Sequence, residues 1–392
     1  MSDDNNVSVK KQDIHDDNQH VPELRFPGFT DEWNENRLDN IFKIKAAGDL
    51  NKNKFSKSKD KNHKYPVFAN ALENKGLLGY YTEFKYPSGS ITITARGNIG
   101  IPIKRNIEFN AVGRLLILIP KENLNISFFT SCLNNIHFYI ESTGVPQLTA
   151  PSLKIYKIKY PSIKEQKKIG DFISLIDRKI DLLEKKCELY KNFIKQKRNE
   201  IYNLETSNNK KLFKDIIIKS NKKNKSDNID LPVLSINNKL GFITQKEQFK
   251  DYEVASSNKN NYKIVNKGDF AYNPARINVG SIAKLDSYDK GIISPMYIVF
   301  KPNEKLINPN YLNNYFKSEK FNYEMSKRLE GSVRLILSID SLNNIPINLP
   351  SIEDQERFGI FFFIFDKKIS NIEKKLNIMK QFKKGLLQKM FV

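Results

Sequence analysis

One stretch of this chain occurs twice, and the two copies constrain most of what it can fold into. Residues Pro161 to Leu204 open Pro-Ser-Ile-Lys-Glu-Gln, and the pattern returns from Pro350 to Val392 at an offset of 350 − 161 = 189, without a gap. Pro161, Ser162, Ile163, Gln166, Gly170, Phe172, Asp177, Ile180, Glu184 and Lys191 are among the residues that recur. Proline at each opening favours a helix start just downstream. Beyond it, Ile173, Ile176, Ile180, Leu183, Cys187, Tyr190, Ile194, Ile201 and Leu204 fall on alternating steps of three and four, interrupted by Lys197. The second copy gives Phe362, Phe365, Ile369, Ile372, Leu376, Met379, Leu386 and Met390, interrupted by Lys383. Such a/d spacing puts one apolar seam along a long helix, and that seam needs another helix to cover it. At about 1.5 Å per residue, some 35 residues span roughly 50 Å. The two copies are expected to pair with each other; the alternative is two amphipathic helices buried separately on two domains.

The regions before each helix share an order of elements. Strand signals in the first are Tyr65 to Phe68, Ser90 to Thr94 and Leu115 to Ile119, followed by a predicted helix over Phe128 to Ser142 that stops before Gly144. After a polar link at Asn203 to Lys211, Leu212 to Ile217 echoes Leu38 to Phe42, and Pro232-Val233-Leu234 echoes Pro66-Val67-Phe68. Ala275-Arg276-Ile277-Asn278-Val279-Gly280 echoes Ala95-Arg96-Gly97-Asn98-Ile99-Gly100 at an offset of 180. A strand at Tyr297 to Phe300, a helix over Asn310 to Leu329 and a glycine turn at Gly331 are predicted next. The chain is one unit said twice: globular domain, long helix, globular domain, long helix. The globular halves have diverged while the helices keep register.

Charge points to the partner. Lys+Arg exceeds Asp+Glu by 65 − 44 = 21, a field that attracts polyanions such as nucleic acid or anionic membrane. A duplicated basic unit with diverged halves fits two half-sites of unrelated sequence, where a dimer of identical halves would read a palindrome. Residues 1 to 21 read as an acidic, disordered leader with no apolar run. No stretch approaches the roughly 18 apolar residues of a membrane span, so a cytoplasmic location without membrane contact is expected.

These motifs resemble the specificity subunit of type I restriction–modification enzymes. The resemblance rests on the two Pro-Ser-Ile-x-x-Gln starts (Pro161 to Gln166, Pro350 to Gln355), the heptads behind them, the opening Leu24-Arg25-Phe26-Pro27-Gly28-Phe29 and the Arg-x-Asn-x-Gly turns. It implies an α/β (α+β) fold with pseudo-twofold symmetry. Two target-recognition domains (22–160 and 205–349) would each be followed by a spacer helix (161–204 and 350–392), the helices forming an antiparallel coiled coil. It further implies that each domain reads one half of a bipartite site on double-stranded DNA. The coil would then dock two methyltransferase subunits, with motor-endonuclease subunits joining for restriction.

Catalysis by the chain itself finds little support in its residues. Tyr272-Asn273-Pro274-Ala275 resembles the base-holding motif of adenine methyltransferases but lacks its second proline and aromatic, and reads better as a turn. Glu83-Phe84-Lys85 is a lone Glu-x-Lys tripeptide, where a nuclease centre needs clustered carboxylates. His15, His20, His63 and His137 show no ligand spacing, Cys132 and Cys187 no supporting pattern, and no Gly-rich phosphate loop occurs. No metal and no cofactor is therefore expected in this chain; by the resemblance, S-adenosylmethionine, ATP and Mg belong to partner subunits. A stand-alone coiled-coil DNA-binding or architectural protein, binding tightly without a partner, and a nuclease in its own right remain the alternatives.

Base discrimination calls for arginine against guanine and asparagine or glutamine against adenine, on tight loops. The candidates are Arg96, Asn98, Lys104, Arg105 and Gln147 in the first half and Arg276, Asn278, Lys284, Arg328 and Arg334 in the second. Lys104, Arg105, Lys284 and Arg328 are the expected phosphate anchors. In the two Arg-x-Asn-x-Gly segments the glycine permits a tight backbone beside a long polar side chain. Such a segment is equally readable as a structural turn whose arginine caps local carbonyls.

Overall fold

The computed structural model describes residues 21–138, 146–203, 209–225, 231–238, 240–248, 259–332 and 334–392. The leader (except Val21), Leu204 at the end of the first seam, most of the polar link and the far end of the helix expected over Phe128 to Ser142 lie outside them. The chain divides into two compact units, Met1–Leu183 with Lys375–Val392, and Glu184–Lys374.

Each unit is built on the same plan. In the first, an antiparallel sheet has the order Phe42–Ala46, Leu116–Pro120, Ser90–Ile93, Pro102–Arg105. In the second, the order is Ile217–Ser220, Ile298–Pro302, Phe270–Tyr272, Ile282–Lys284. The strand Leu116–Pro120 is apolar at both parities because it separates two cores. Leu116 and Leu118 face the helix-side core with Phe128 and Phe129, and Ile117 faces a smaller one with Phe68 and Phe109. Ile298 and Phe300 against Val299 divide the second unit in the same way. A second sheet joins Tyr65–Phe68 in parallel to Asn110–Ala111, and its counterpart joins Val233–Asn237 in parallel to Lys290–Ile293. A two-stranded ribbon closes each unit just before its long helix: Asn34–Arg37 with Lys157–Tyr160, and Lys210–Leu212 with Pro346–Asn348. The one-turn helices Leu38–Ile41 and Phe213–Ile216 lie in the echoed segments but one residue out of the expected register: Phe213, not Leu212, takes the place of Leu38, its N–H donating to Ile345 O as Leu38 N–H does to Tyr156 O.

The long helices run Ile163–Asn203 and Ile352–Met390. Along the heptad seam, Ile173, Ile176 and Ile180 share one core with Leu386, Met390, Leu376 and Met379 in the first unit. Ile194 shares another with Phe362, Phe365 and Ile369 in the second, where Cys187 and Ile372 are also buried. The direction is antiparallel. In the second unit Lys191 pairs with Glu373 at 2.6 Å, Phe193 meets Phe365 at 5.3 Å between ring centroids, and Arg198 lies over Phe362. Partner numbers thus fall as helix numbers rise. Lys383, which interrupts the apolar series, reaches Asp177 at 2.5 Å in the first unit, and Lys197 pairs with Glu200. A seam lysine snorkels its charge to the edge of the coil in this way while its stem stays packed.

Two helix expectations need correction. The helix expected over Phe128 to Ser142 is Ile126–Leu133, started by the Asn125 side chain capping Phe128 N–H and stopped at Asn134-Asn135. Asparagine side chains compete for backbone groups and terminate helices readily. The helix expected over Asn310 to Leu329 is two, Pro309–Tyr315 and Glu319–Ser326. Ser318 divides them: its hydroxyl donates to Tyr315 O and accepts from Phe321 N–H, which ends one helix and caps the next.

The repeated Pro-Ser-Ile-x-x-Gln-x-x-x-Gly sequence is the joint between globular domain and long helix. Gln166 is buried; its Nε2 donates to Pro161 O, and its Oε1 accepts the N–H of Asn125, the residue that caps the short helix. Gln355 repeats this, donating to Pro350 O and accepting from Asn308 N–H, while Asn308 caps Pro309–Tyr315. One helical turn on, Gly170 and Gly359 press against those capping asparagines. A Cβ on Gly170 would stand 2.3 Å from Asn125 Oδ1 and 3.0 Å from Phe128 N; on Gly359 the nearest atom would be 3.1 Å away.

Gly170→Ala raises intrinsic helix propensity by about 1 kcal/mol. It is nevertheless expected to destabilise the chain by about 1–3 kcal/mol, because it displaces a buried cap. Gly359→Ala should cost less. Gln166→Ala, which strands a buried N–H, should cost about 1–3 kcal/mol. Thermal unfolding of the three variants checks both the sign for Gly170 and the ranking.

Candidate nucleic-acid interface

In the first unit a cluster of exposed polar side chains forms where three turns meet. The turn after Ser90–Ile93 carries Arg96 and Asn98, with Gly97 and Gly100 at φ +69° and +84°, a region open to glycine. Asn70, from the loop after Tyr65–Phe68, fixes this turn: its Nδ2 donates to Arg96 O, and its Oδ1 accepts from Ala95 N–H, both at 2.6 Å. The Thr94 hydroxyl donates to Asn98 O. Leu148 N–H donates to Ala95 O and so brings Gln147 alongside, where its Oε1 accepts from Arg96 Nε at 2.9 Å. The third turn, between Asn110–Ala111 and Leu116–Pro120, presents Arg114, whose Nη1 lies 3.5 Å from the same oxygen. Sequence reasoning missed Arg114 and Asn70. The Gly113-Arg114 dipeptide between two strand signals was the cue for the former.

The second unit repeats the scaffold with other side chains. Leu337 N–H donates to Pro274 O as Leu148 N–H does to Ala95 O; the donors are 189 apart and the acceptors 179, so Pro274, not Ala275, takes the place of Ala95. This brings the hairpin around Gly331, with the exposed Arg334, up to the turn carrying Arg276 and Asn278. Gly280, at φ +91°, ends the short helical turn Ile277–Val279. The Arg276 side chain is exposed and makes no hydrogen bond or ion pair among the described residues, while its backbone is bonded within the turn. Asn273 is structural: its Oδ1 accepts from Ala275 N–H and its Nδ2 meets Met296 Sδ at 3.6 Å. Tyr272, fully buried, donates to Leu337 O.

Other candidates are placed elsewhere. Arg105, expected as a phosphate anchor, is a correction: it is 4% exposed, stacked 3.6 Å over the Phe68 ring, and donates to Thr92 Oγ1 and Lys75 O. Burial pushes its guanidinium down to about 10. Lys284 is held by Asp286 and Asn310 with a side chain 9% exposed. Lys104, at the matching position, donates to Ser127 Oγ and to Ser174 Oγ on the long helix. Both lysines tie a strand end to the helices. Arg328, in the turn after the helix Glu319–Ser326, donates to Glu324 Oε2 of that helix at 2.7 Å, and the helix packs against Ile277–Val279. Glu83 pairs with Lys54, and Cys132 lies in the core, where burial pushes its thiol up to about 12. Among the described residues no group of three His, Cys, Asp or Glu is arranged for a metal ion, and no helix is long and apolar enough to cross a membrane.

Comparison with known proteins agrees with this duplicated plan. The family described as "Type I restriction modification DNA specificity domain" matches twice, over residues 30–189 and 197–381. A Mycoplasma pneumoniae protein named as the type I specificity subunit S.MpnORF507P is 34% identical over 134 residues, 34% of this chain and 37% of its own length. A second from that organism, named as S.MpnORF89P, is 32% identical over 151 residues, 36% of this chain and 45% of its length. The chain thus matches less than half the length of these relatives. Among solved structures, a type I restriction–modification S subunit from M. genitalium superposes with a TM-score of 0.67 at 16% identity, covering 95% of this chain and 99% of that one. The chain belongs to the type I restriction–modification DNA specificity family.

Two arginine substitutions contrast a buried side chain with an exposed one. Arg276→Ala should change stability by no more than about 0.5 kcal/mol and weaken DNA binding by about 1–3 kcal/mol. Arg105→Ala should lower stability by about 1–3 kcal/mol, leaving Thr92 and Lys75 O without their donor. Melting curves and anisotropy titrations on both variants measure the contrast.

Proposed function

We propose that this chain is the recognition subunit of a type I restriction–modification complex, carrying no catalysis of its own. Each globular unit reads one half of a bipartite, asymmetric site on double-stranded DNA. The paired helices set the spacing of the halves and dock two methyltransferase subunits; motor-endonuclease subunits join for restriction. S-adenosylmethionine, ATP and Mg serve those partners. One observation carries this reading: the two units repeat the same strand order and the same glutamine–asparagine joint, while the turns at Arg96 and Arg276 present different side chains. Identical scaffolds with unlike tips are what two different half-sites require.

The docking role is supported by apolar residues that the coil leaves uncovered. On the first long helix, Leu175, Leu182 and Leu189 recur every seven residues at 60%, 58% and 68% exposure. At the 189 offset, Leu175 and Leu189 become Ile364 and Ile378, and Phe193 becomes Phe382, all exposed. With Ile173 at heptad position a, these are c and g positions, off the seam and on one side of an antiparallel pair. Exposed apolar residues repeated in this way mark an interaction surface, and two equivalent sets fit two copies of one partner.

Expression with the methyltransferase subunit of the same host, followed by genome-wide mapping of methylated bases, tests the reading. A single two-part motif that needs both chains is the expected result; copurification of neither subunit with the other, and no methylation, would overturn it. Leu182→Asp together with Ile378→Asp should abolish copurification of the methyltransferase while the melting temperature stays within a few degrees. Salt dependence of DNA binding should be steep, since phosphate contacts release counterions.

A further inference from the structure

Arg114 and Arg96 belong to different turns, yet one side-chain oxygen holds both. Gln147 Oε1 accepts from Arg96 Nε at 2.9 Å and lies 3.5 Å from Arg114 Nη1. Both arginines are exposed, and neither forms an ion pair among the described residues. Two guanidiniums fixed side by side repel each other, and an acceptor-rich surface opposite them relieves that repulsion. Their remaining N–H groups are free to donate. Arg114 is also held at φ 64°, directly after Gly113 at φ 66°. A side-chain-bearing residue seldom occupies this left-handed region, and such backbone collects at ligand-contacting positions.

We propose that Arg114, with Arg96 oriented beside it by Gln147, reads a guanine in the half-site of the first unit by donating to O6 and N7 in the major groove. The assignment rests on the DNA-recognition reading above and names the base class for that unit. A backbone phosphate offers guanidinium the same acceptor chemistry, and the second unit decides between the two. Asn110–Ala111 and Lys290–Ile293 are equivalent strands, each paired in parallel with the strand that carries the valine of the Pro-Val echo. Counting on from Ala111 and Ile293, the residue matching Arg114 is Met296, which is 61% exposed and touches Asn273 Nδ2 through its sulfur. Phosphates are spaced alike on every duplex, so a phosphate anchor here has no reason to differ between the units. A base reader differs wherever the two half-sites differ. An uncharged thioether at this turn cannot donate to O6 and N7, so the second unit does not read a guanine through this position.

The experiment compares methylated motifs of the complex containing wild-type chain, Arg114→Gly or Arg114→Lys. Glycine suits the left-handed backbone and keeps the turn intact; lysine keeps the charge without the fork. Wild type is expected to show a guanine at one position of one half-site. In both variants preference for that guanine should fall roughly tenfold to a hundredfold while the other half-site is unchanged. An unchanged motif, or an even loss of methylation at all sites that lysine restores, overturns the assignment, the latter in favour of a phosphate contact. Absence of any two-part motif with the wild-type chain overturns the functional reading itself, and with it this proposal.

Discussion

Each unit depends on one buried amide. Gln166 and Gln355 accept the N–H of the asparagine that caps a short helix, and donate to the carbonyl of the proline that opens the long one. A buried N–H without a partner costs about 1–3 kcal/mol, so the amide determines where the long helix may start relative to the sheet-bearing domain. Gly170 and Gly359 then let the helix approach close enough for this bond to form. The far end of each partner helix completes the arrangement. Phe391 packs edge-on to Trp33 and 5.3 Å from Phe128 in the first unit; Tyr202, at the 189 offset, lies 4.9 Å from Tyr311 and donates to its carbonyl in the second. The start of one long helix and the end of the other are thereby seated in the same core.

The opening Leu-Arg-Phe-Pro-Gly-Phe segment belongs to this joint. Leu24 N–H donates to Lys389 O, satisfying a carbonyl in the last turn of the second long helix. Arg25 makes a bidentate pair with Glu165, which is 1% exposed, at the start of the first long helix. The carboxylate raises the guanidinium's pKa, chiefly through the side-chain hydrogen bond. Phe26 sits edge-on to Phe172 beneath Lys168. The segment clips the two helices together within the first unit. Its length and chemistry follow from that task.

How much of this was legible in the sequence follows the periodicity. Heptads are read directly, because a seam of 3.5-residue period admits one burial pattern, and every seam position in the described residues is buried or half-buried. Strands such as Leu116–Pro120 were visible as apolar runs, but that the run divides two cores was not, since alternation is erased when both faces are covered. The candidate site was half legible. Arg96 and Arg276 stand on turns that glycine announces. Arg105 carries the same side-chain chemistry, yet is interior because its neighbour across the sheet, Ser90, and the Phe68 ring leave it a pocket. Charge type says nothing about which side of a strand a residue takes when the strand is covered on both.

The joint and the tips answer to different constraints. Gln166, Gly170 and Asn125 meet the same partners as Gln355, Gly359 and Asn308, because a helix start tolerates one geometry. The turns at Arg96–Arg114 and Arg276–Met296 sit on equivalent strands, held by equivalent bonds from Leu148 and Leu337, and there the chemistry departs completely. A turn whose backbone is fixed from below by main-chain hydrogen bonds can exchange an arginine for a methionine without disturbing the sheet. The scaffold thereby separates stability from specificity: what holds a unit together is kept at the helix joint, and what a unit touches can change at the tips.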